Sequence, residues 1–220
     1  MQSLQLTLYV DGYFTSTWDA TCFVALTEKQ LEFTTARALL RDGGVPAALR
    51  RETAIARVPA LQHGDFWLTE SMAIVEYLEE TFPPPEFARM LPAEPRARAR
   101  ARQIMSYMRF DLRALRAERP WQFSVYPMQQ RQPLSPPAER DASELADLVV
   151  RLEEAGELEE WNIAQADLAF GLWRLSRGDH ALPDAAQRVL DRNLERPSVR
   201  AYIEHPRPPN PPPYATGWIT

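Results

Sequence analysis

Arg57-Val58-Pro59-Ala60-Leu61, with Glu70-Ser71 nine residues beyond Leu61, decides how this 220-residue chain is read. An X–Pro bond prefers trans by only about 0.5–1 kcal/mol, so Val58-Pro59 is a candidate cis turn. The residue before a proline is driven to extended backbone, which lets Val58 offer its N–H and C=O to a peptide-like ligand. Glu70-Ser71 opens a segment with apolar residues at Ile74, Tyr77, Leu78 and Phe82, the spacing of a buried helix face. A helix N-terminus with free N–H groups and a hydroxyl suits a carboxylate, and an adjacent Glu can hold an ammonium. A peptide-backbone site beside an amino-acid head-group site points to a small peptide ligand.

Around this stretch the chain falls into two halves. In the first, Leu4, Leu6, Leu8 and Val10 alternate as in a half-buried strand, followed by a turn at Asp11-Gly12. A helix is expected from about Ser16 to Lys29, a strand from Leu31 to Ala38 and a loop at Asp42-Gly43-Gly44. A strand at 58–62, a turn at His63-Gly64-Asp65, a strand at 66–68 and the helix to Phe82 complete it. This order implies a mixed four-stranded sheet with helices on its faces. Phe82-Pro83-Pro84-Pro85 stops the helix and forms a stiff linker.

The second half reads as helical. Ile104, Met108, Leu112 and Leu115 carry one helix over 94–119, and the five prolines from Pro120 to Pro137 mark a long loop. Another helix is expected over Ala138–Glu154 and a last one over Ser198–Glu204. Asn162 with Gln165 resembles a capping box ahead of an apolar run containing Leu168, Phe170 and Leu172. The tail Pro206–Tyr214 is expected as extended polyproline. The domain reading is therefore 1–83, a linker at 84–93, a helical domain at 94–205 and a proline-rich tail at 206–220.

Val-Pro-Ala-Leu at 58–61 and TESMAIVEYLEETFP at 69–83 resemble the glutathione transferase family. The blocks at 11–33, 97–120 and 195–205 extend the similarity, most closely to its bacterial YfcF-type branch. The resemblance implies a thioredoxin-like α/β N-terminal domain, an all-α C-terminal domain, a homodimer, and glutathione as co-substrate. It implies that Val58-Pro59 pairs with the cysteinyl backbone of glutathione and that Glu70 and Ser71 grip its γ-glutamyl end. Arg57 has two readings, a cation for the glycyl carboxylate or a solvated charge before the turn.

The chemistry then needs a hydroxyl or thiol where the first strand turns into a helix, and Ser16 fits. By resemblance it takes the place of the family's catalytic Ser or Cys, with Thr17 where a Pro usually follows. The structural alternative makes Ser16 a simple N-cap, and Tyr9, Tyr13, Thr15 and Thr17 are rival hydroxyls. A free cysteine thiol is only about 3% ionised at pH 7. Lowering its pKa by about two units needs about 2.7 kcal/mol. A hydrogen bond to a charged acceptor supplies about 1.5–3 kcal/mol and a helix N-terminus about 0.3–1. Ser16 is thus sufficient without a general base.

The second substrate is expected between the halves, as a hydrophobic electrophile or hydroperoxide, with Tyr107, Met108 and Asp111 as candidate wall residues and Trp121, Phe123 and Tyr126 as a cover. Core and surface roles for Met108 and Tyr107 stand beside that reading. The branch resemblance implies conjugating, peroxidase and disulfide-reducing activities in detoxification and oxidative stress. A non-catalytic binding or stress-response protein of the same fold and a glutathione-dependent isomerase or lyase are the alternatives.

Composition sets bounds on all of this. A formal charge of −5 gives no electrostatic case for nucleic acid or anionic membranes. The alternating Arg96, Arg98, Arg100 and Arg102 cannot share one helix face and read as solvated. No run approaches the ~18 apolar residues of a membrane span and no signal peptide is evident, so a cytoplasmic location is expected. The single cysteine, Cys22, excludes an internal disulfide and reads as a buried small hydrophobe. His63, His180 and His205 lack ligand spacing, and no metal is expected.

Overall fold

The computed structural model describes residues 5–38, 46–126, 132–178 and 180–209. The chain divides into two compact units. Among the described residues, one comprises those up to Met90 with Glu204–Arg207, the other those from Leu91 to Ile203 with 208–209.

The first unit is the thioredoxin-like α/β domain. In chain order it contains β1 (Leu6–Asp11), α1 (Thr17–Glu28), β2 (Phe33–Ala38), α2 (Ala47–Glu52), β3 (Ala60–His63), β4 (Phe66–Thr69) and α3 (Ser71–Thr81). The sheet order is β2-β1-β3-β4, with β2 parallel to β1 and the other two pairings antiparallel. Leu6, Leu8 and Val10 are buried while their neighbours are half-buried, the period of two that marks this strand in the sequence. Gly64 takes φ +62° in the tight β3–β4 turn, a backbone state that glycine adopts without steric cost. The third strand starts at Ala60, two residues later than expected, which leaves Val58-Pro59 outside the ladder. Helix α2 was not anticipated: six residues after Pro46 are too few to show a period. The expected loop at 42–44 lies outside the described residues.

A buried ion pair ties this unit together. The Lys29 ammonium, with no exposed side-chain surface, donates to Glu79 Oε2 at 2.9 Å, Phe82 O at 2.9 Å and Ala88 O at 2.8 Å. Glu79 Oε2 also accepts the Met90 N–H at 2.9 Å. Three donors thus meet three acceptors, and the ends of α1 and α3 are fixed to the proline-rich segment after Phe82.

The second unit is helical: α4 (Pro95–Phe110), α5 (Arg113–Glu118), α6 (Gln122–Val125), α7 (Pro136–Glu154), α8 (Ile163–Ser176), α9 (Asp184–Leu194) and α10 (Pro197–Ile203). Every residue of α8 except Trp173 and Ser176 is buried, so it forms the centre of this unit. Gly171 lets its neighbours close in, since a Cβ there would stand 2.6 Å from Met108 Cε and 2.9 Å from Leu145 Cδ2. The Arg109 guanidinium of α4 pairs with the buried Asp167 of α8.

The single helix expected over 94–119 is broken. Asp111 is extended and Leu112 takes φ +56°, so α4 ends and α5 starts afresh. Arg116 Nη1 donates to the Met108 and Arg109 carbonyls at 3.0 and 2.7 Å, and Asp141 accepts the Leu115 N–H at 3.0 Å. Both groups satisfy backbone that a continuous helix would have paired internally. The expected loop over 120–137 contains α6, and α7 begins at Pro136, capped by Ser135, because proline suits the first helical position. Helix α9 was not foreseen. The Asn162 box is half formed: its side chain caps Ala164 N at 3.1 Å, but Gln165 donates to Glu160 O at 2.9 Å rather than returning to Asn162. Of the expected polyproline tail, only 206–209 falls within the described residues, without regular structure.

Removing one partner of a buried pair leaves the other charge uncompensated, at a cost of about 3–5 kcal/mol. Lys29→Met is therefore expected to lower the unfolding free energy by about that amount in denaturant titration. A loss below about 1 kcal/mol would contradict the role given to Lys29.

Candidate functional site

Ser16 immediately precedes α1 in extended backbone, with φ −108° and ψ 122°, and its Oγ accepts the Asp19 N–H at 3.2 Å. The residue is an N-cap, as the structural alternative held. That role uses an oxygen lone pair and is compatible with an O–H that donates to an anion at the same helix end.

Asp19, which the sequence reading passed over, is the organising group beneath it. The carboxyl has no solvent exposure, and its Oδ2 accepts the Asp11 N–H at 2.6 Å. Burial pushes its pKa well above the usual carboxylate value. The Asp11 N–H bond opposes that shift, the Asp11 charge adds to it, and the hydrogen bond with Ser16 opposes it. Asp11 Oδ2 in turn accepts Thr15 N–H and Oγ–H at 2.9 and 2.6 Å. Of the rival hydroxyls, Thr15 is held by Asp11, and Tyr9 donates to Gln62 Oε1 at 3.1 Å. The spacing Ser16-x-x-Asp19 was the available signal, since an acid at N3 behind a Ser cap is a capping-box pattern.

The same loop is clasped by the C-terminal residues Glu204–Arg207. His205 stacks on Phe14 with ring centroids 3.9 Å apart, and Arg207 Nε donates to Phe14 O at 3.2 Å. Arg37 lies 5.3 Å over the Phe14 ring and donates to Pro206 O at 3.2 Å. These contacts hold Phe14 at φ +53°, two residues before Ser16. Burial, together with the charges of Arg207 and Arg37, lowers the His205 pKa against the Pro206 bond.

At the other end of the site the Val58-Pro59 peptide is cis. The β3 ladder begins at Ala60, so strand pairing does not consume the Val58 N–H and C=O. Glu70 sits at φ +72°, a state costing a non-glycine residue about 1–3 kcal/mol and concentrated at ligand clamps. It provides no side-chain cap for α3, so the first turn of that helix keeps its anion-binding capacity. Ser71 is buried at the start of α3, and Arg57 Nε lies 3.5 Å from Glu70 Oε1, with both side chains exposed. Arg57 is thus placed beside the head-group residue. Cys22 is fully buried in α1, its Sγ 3.9 Å from Ser71 O, in keeping with a small core hydrophobe.

The three residues expected near a second substrate separate in the helical unit. Met108 is 4% exposed and belongs to the core around Gly171. Tyr107 lines a cavity of about 350 Å³ between α4 and α7, with Arg100, Glu144 and Arg151. Burial first, and then Glu144, Asp111 and Asp141, push its pKa up to about 12. Asp111 is exposed at the end of α4. Trp121 packs edge-on against Phe170, and the Tyr126 hydroxyl donates to Pro208 O at 3.0 Å. Among the described residues no three His, Cys, Asp or Glu gather to hold a metal, and no helix is long and apolar enough to cross a membrane.

A hydroxyl-capped helix, a cis Val-Pro turn and a helix N-terminus without a side-chain cap stand together on one thioredoxin-like domain. The N-terminal domain of glutathione S-transferase matches residues 4–80, and the C-terminal domain of the same family matches residues 94–205. The chain belongs to the glutathione S-transferase family. A glutathione transferase homologue from Burkholderia, solved with bound glutathione, is 31% identical, with a TM-score of 0.71 over 91% of this chain and 97% of that one. Human glutathione S-transferase theta-1 is 31% identical over 115 residues, which is 52% of this chain and 46% of that protein. Maleylacetoacetate isomerase from Pseudomonas aeruginosa is 38% identical over 109 residues, 47% of this chain and 49% of that protein. The chain thus spans about half the length of these curated relatives.

Asp19 yields a signed test. A carboxyl with a raised folded pKa costs stability as pH climbs from its unfolded value, about 3.9, through the folded one. Asp19→Asn cannot ionise, so it should gain on wild type as pH rises above about 4 in denaturant titrations. A difference that stays constant with pH would contradict the raised pKa.

Proposed function

We propose that this protein activates the thiol of glutathione through Ser16 for conjugation to hydrophobic electrophiles or for hydroperoxide reduction. The observation that carries this reading is Ser16 at the N-terminus of α1, in the same unit as Val58-Pro59, outside its ladder, and Ser71 at the uncapped start of α3. In this reading Val58 pairs with the cysteinyl backbone and the γ-glutamyl carboxylate sits at Ser71 on the α3 N-terminus. Glu70 holds the ammonium, and Arg57 orients Glu70. Ser16 donates to the thiolate while the Asp19 N–H keeps its oxygen in place. The thiolate attacks an electrophilic carbon, displacing a halide, or a peroxide oxygen, displacing an alkoxide that takes up a proton and leaving a glutathione sulfenic acid. In the peroxide case a second glutathione closes the disulfide. Of the three wall residues, Tyr107 in its cavity and the exposed Asp111 stay open to a second substrate, whereas Met108 is core. The protein is assigned to the cytoplasm as a homodimer, in the YfcF-type branch, with detoxification and oxidative-stress roles and capacity for disulfide reduction.

Loss of a hydrogen bond to a charged sulfur costs about 1.5–3 kcal/mol. Ser16→Ala is therefore expected to lower kcat/KM with an aryl halide or cumene hydroperoxide by about 10–150-fold, with glutathione affinity changed less. Unchanged turnover would remove Ser16 from the chemistry. Ser71→Ala should do the converse and weaken glutathione in calorimetry. Wild type that binds no glutathione would leave a binding or stress-response protein of the same fold.

Similarity to maleylacetoacetate isomerases supports a second reading. The same thiolate adds reversibly to a cis double bond conjugated to a carbonyl, the carbon–carbon bond rotates, and glutathione leaves unchanged. Turnover of such a cis enone without consumption of glutathione separates it from conjugation.

A further inference from the structure

Arg174, in the last turn of α8, is 6% exposed, and its Nε meets no hydrogen-bond acceptor. Among the described residues no carboxylate pairs with it, in contrast to Arg109, which pairs with Asp167 of α8. The charge acting on Arg174 is another cation, Arg116; burial and that charge together bring its pKa down to about 9, so it stays protonated at neutral pH.

Two further buried donors lie along the last turns of α8. Arg119 is 7% exposed and its Nε lacks an acceptor, although its Nη1 donates to Glu118 O at 3.0 Å and its Nη2 to Gln132 O at 2.5 Å. A Cβ placed on Gly178 would lie 3.5 Å from that Nε and 3.2 Å from Arg174 O, so Arg119 lies against this end of the helix. Trp121, 3% exposed, has an indole N–H without an acceptor and packs on Phe170, one helical turn before Arg174. Arg116 spends Nη1 on the Met108 and Arg109 carbonyls. A buried cation is costly unless it is paired, and buried donors are rarely left without partners. Here two guanidinium Nε–H groups and one indole N–H, in one helical unit, share that deficit.

We propose that Arg174, supported by Arg116, Arg119 and Trp121, forms a buried oxyanion-binding site in the helical unit, for a phosphate or carboxylate group. A planar guanidinium matches an oxyanion with two parallel N–H donors, and the second guanidinium, which otherwise repels the first, becomes favourable once a negative charge sits between them. The ligand is either a free inorganic anion or the carboxylate of an organic molecule. The inference does not depend on glutathione chemistry.

The test is calorimetry and thermal unfolding of the full chain, freed of phosphate, with inorganic phosphate and hexanoate at matched ionic strength and chloride as the reference. Wild type should bind one equivalent of phosphate or hexanoate, with a saturable rise in Tm beyond the chloride effect. Tighter phosphate assigns a free ion, and tighter hexanoate an organic carboxylate. Arg174→Met should weaken that binding at least tenfold while unfolding, without added anion, no lower than wild type, because an unpaired buried cation has been removed. Trp121→Phe, which deletes only the indole N–H, should weaken it several-fold and guards against misfolding of the first variant. Equal anion responses of wild type and both variants, or no saturable response in wild type, would overturn the proposal.

Discussion

The hydrogen bond from the Asp11 N–H to the buried Asp19 carboxylate is the constraint on which the site depends. It joins the last residue of β1 to the first turn of α1 across a loop that contains a positive-φ phenylalanine. Asp11 then fixes Thr15 with its own carboxylate, and Ser16 closes the circuit by capping Asp19 N. A helix start held this way presents a hydroxyl and the positive end of α1 at a fixed point, which is what an anion at that point needs. The arrangement keeps an acid out of water and so carries an electrostatic cost, in common with the strained Glu70 at the start of α3. Both costs fall at the starts of α1 and α3. The Lys29–Glu79 pair, at the far ends of the same helices, is fully satisfied and supplies rigidity instead.

What the sequence made legible was whatever a local pattern encodes. Alternation gave β1, and the Val58-Pro59 and Glu70-Ser71 dipeptides marked the turn and the α3 start, because backbone geometry at proline and at helix termini is set within a few residues. The helix start at Ser16 was legible for the same reason. What escaped depends on distant partners. The break at Leu112 comes from Arg116 and Asp141 taking over backbone groups that apolar periodicity assigned to one helix. Gln165 abandons its box for Glu160 O. Helix α2 was too short to show its period. Asp19 was hidden in plain spacing, because a polar residue in an apolar helix reads as solvent-facing until its burial is known.

The same bias hid the arginines of the helical unit. Periodicity counts apolar residues and does not mark Arg119 and Arg174, which are buried. Long side chains can bury their stems beside apolar residues, but a buried guanidinium head needs an anion or carbonyls. Arg116 and Arg119 find carbonyls, Arg109 finds Asp167, and Arg174 is left with the nearest cation. Clasping of the Phe14 loop by His205 and Arg207 was likewise invisible, since it joins residues 193 positions apart.

The central claim is that Ser16 and the α1 N-terminus stabilise a bound thiolate. The direct measurement is ultraviolet titration of glutathione bound to the wild-type protein, following thiolate absorbance against pH. The account predicts a midpoint about two units below the free value of about 8.5. A bound thiol that titrates at or above the free value would contradict it.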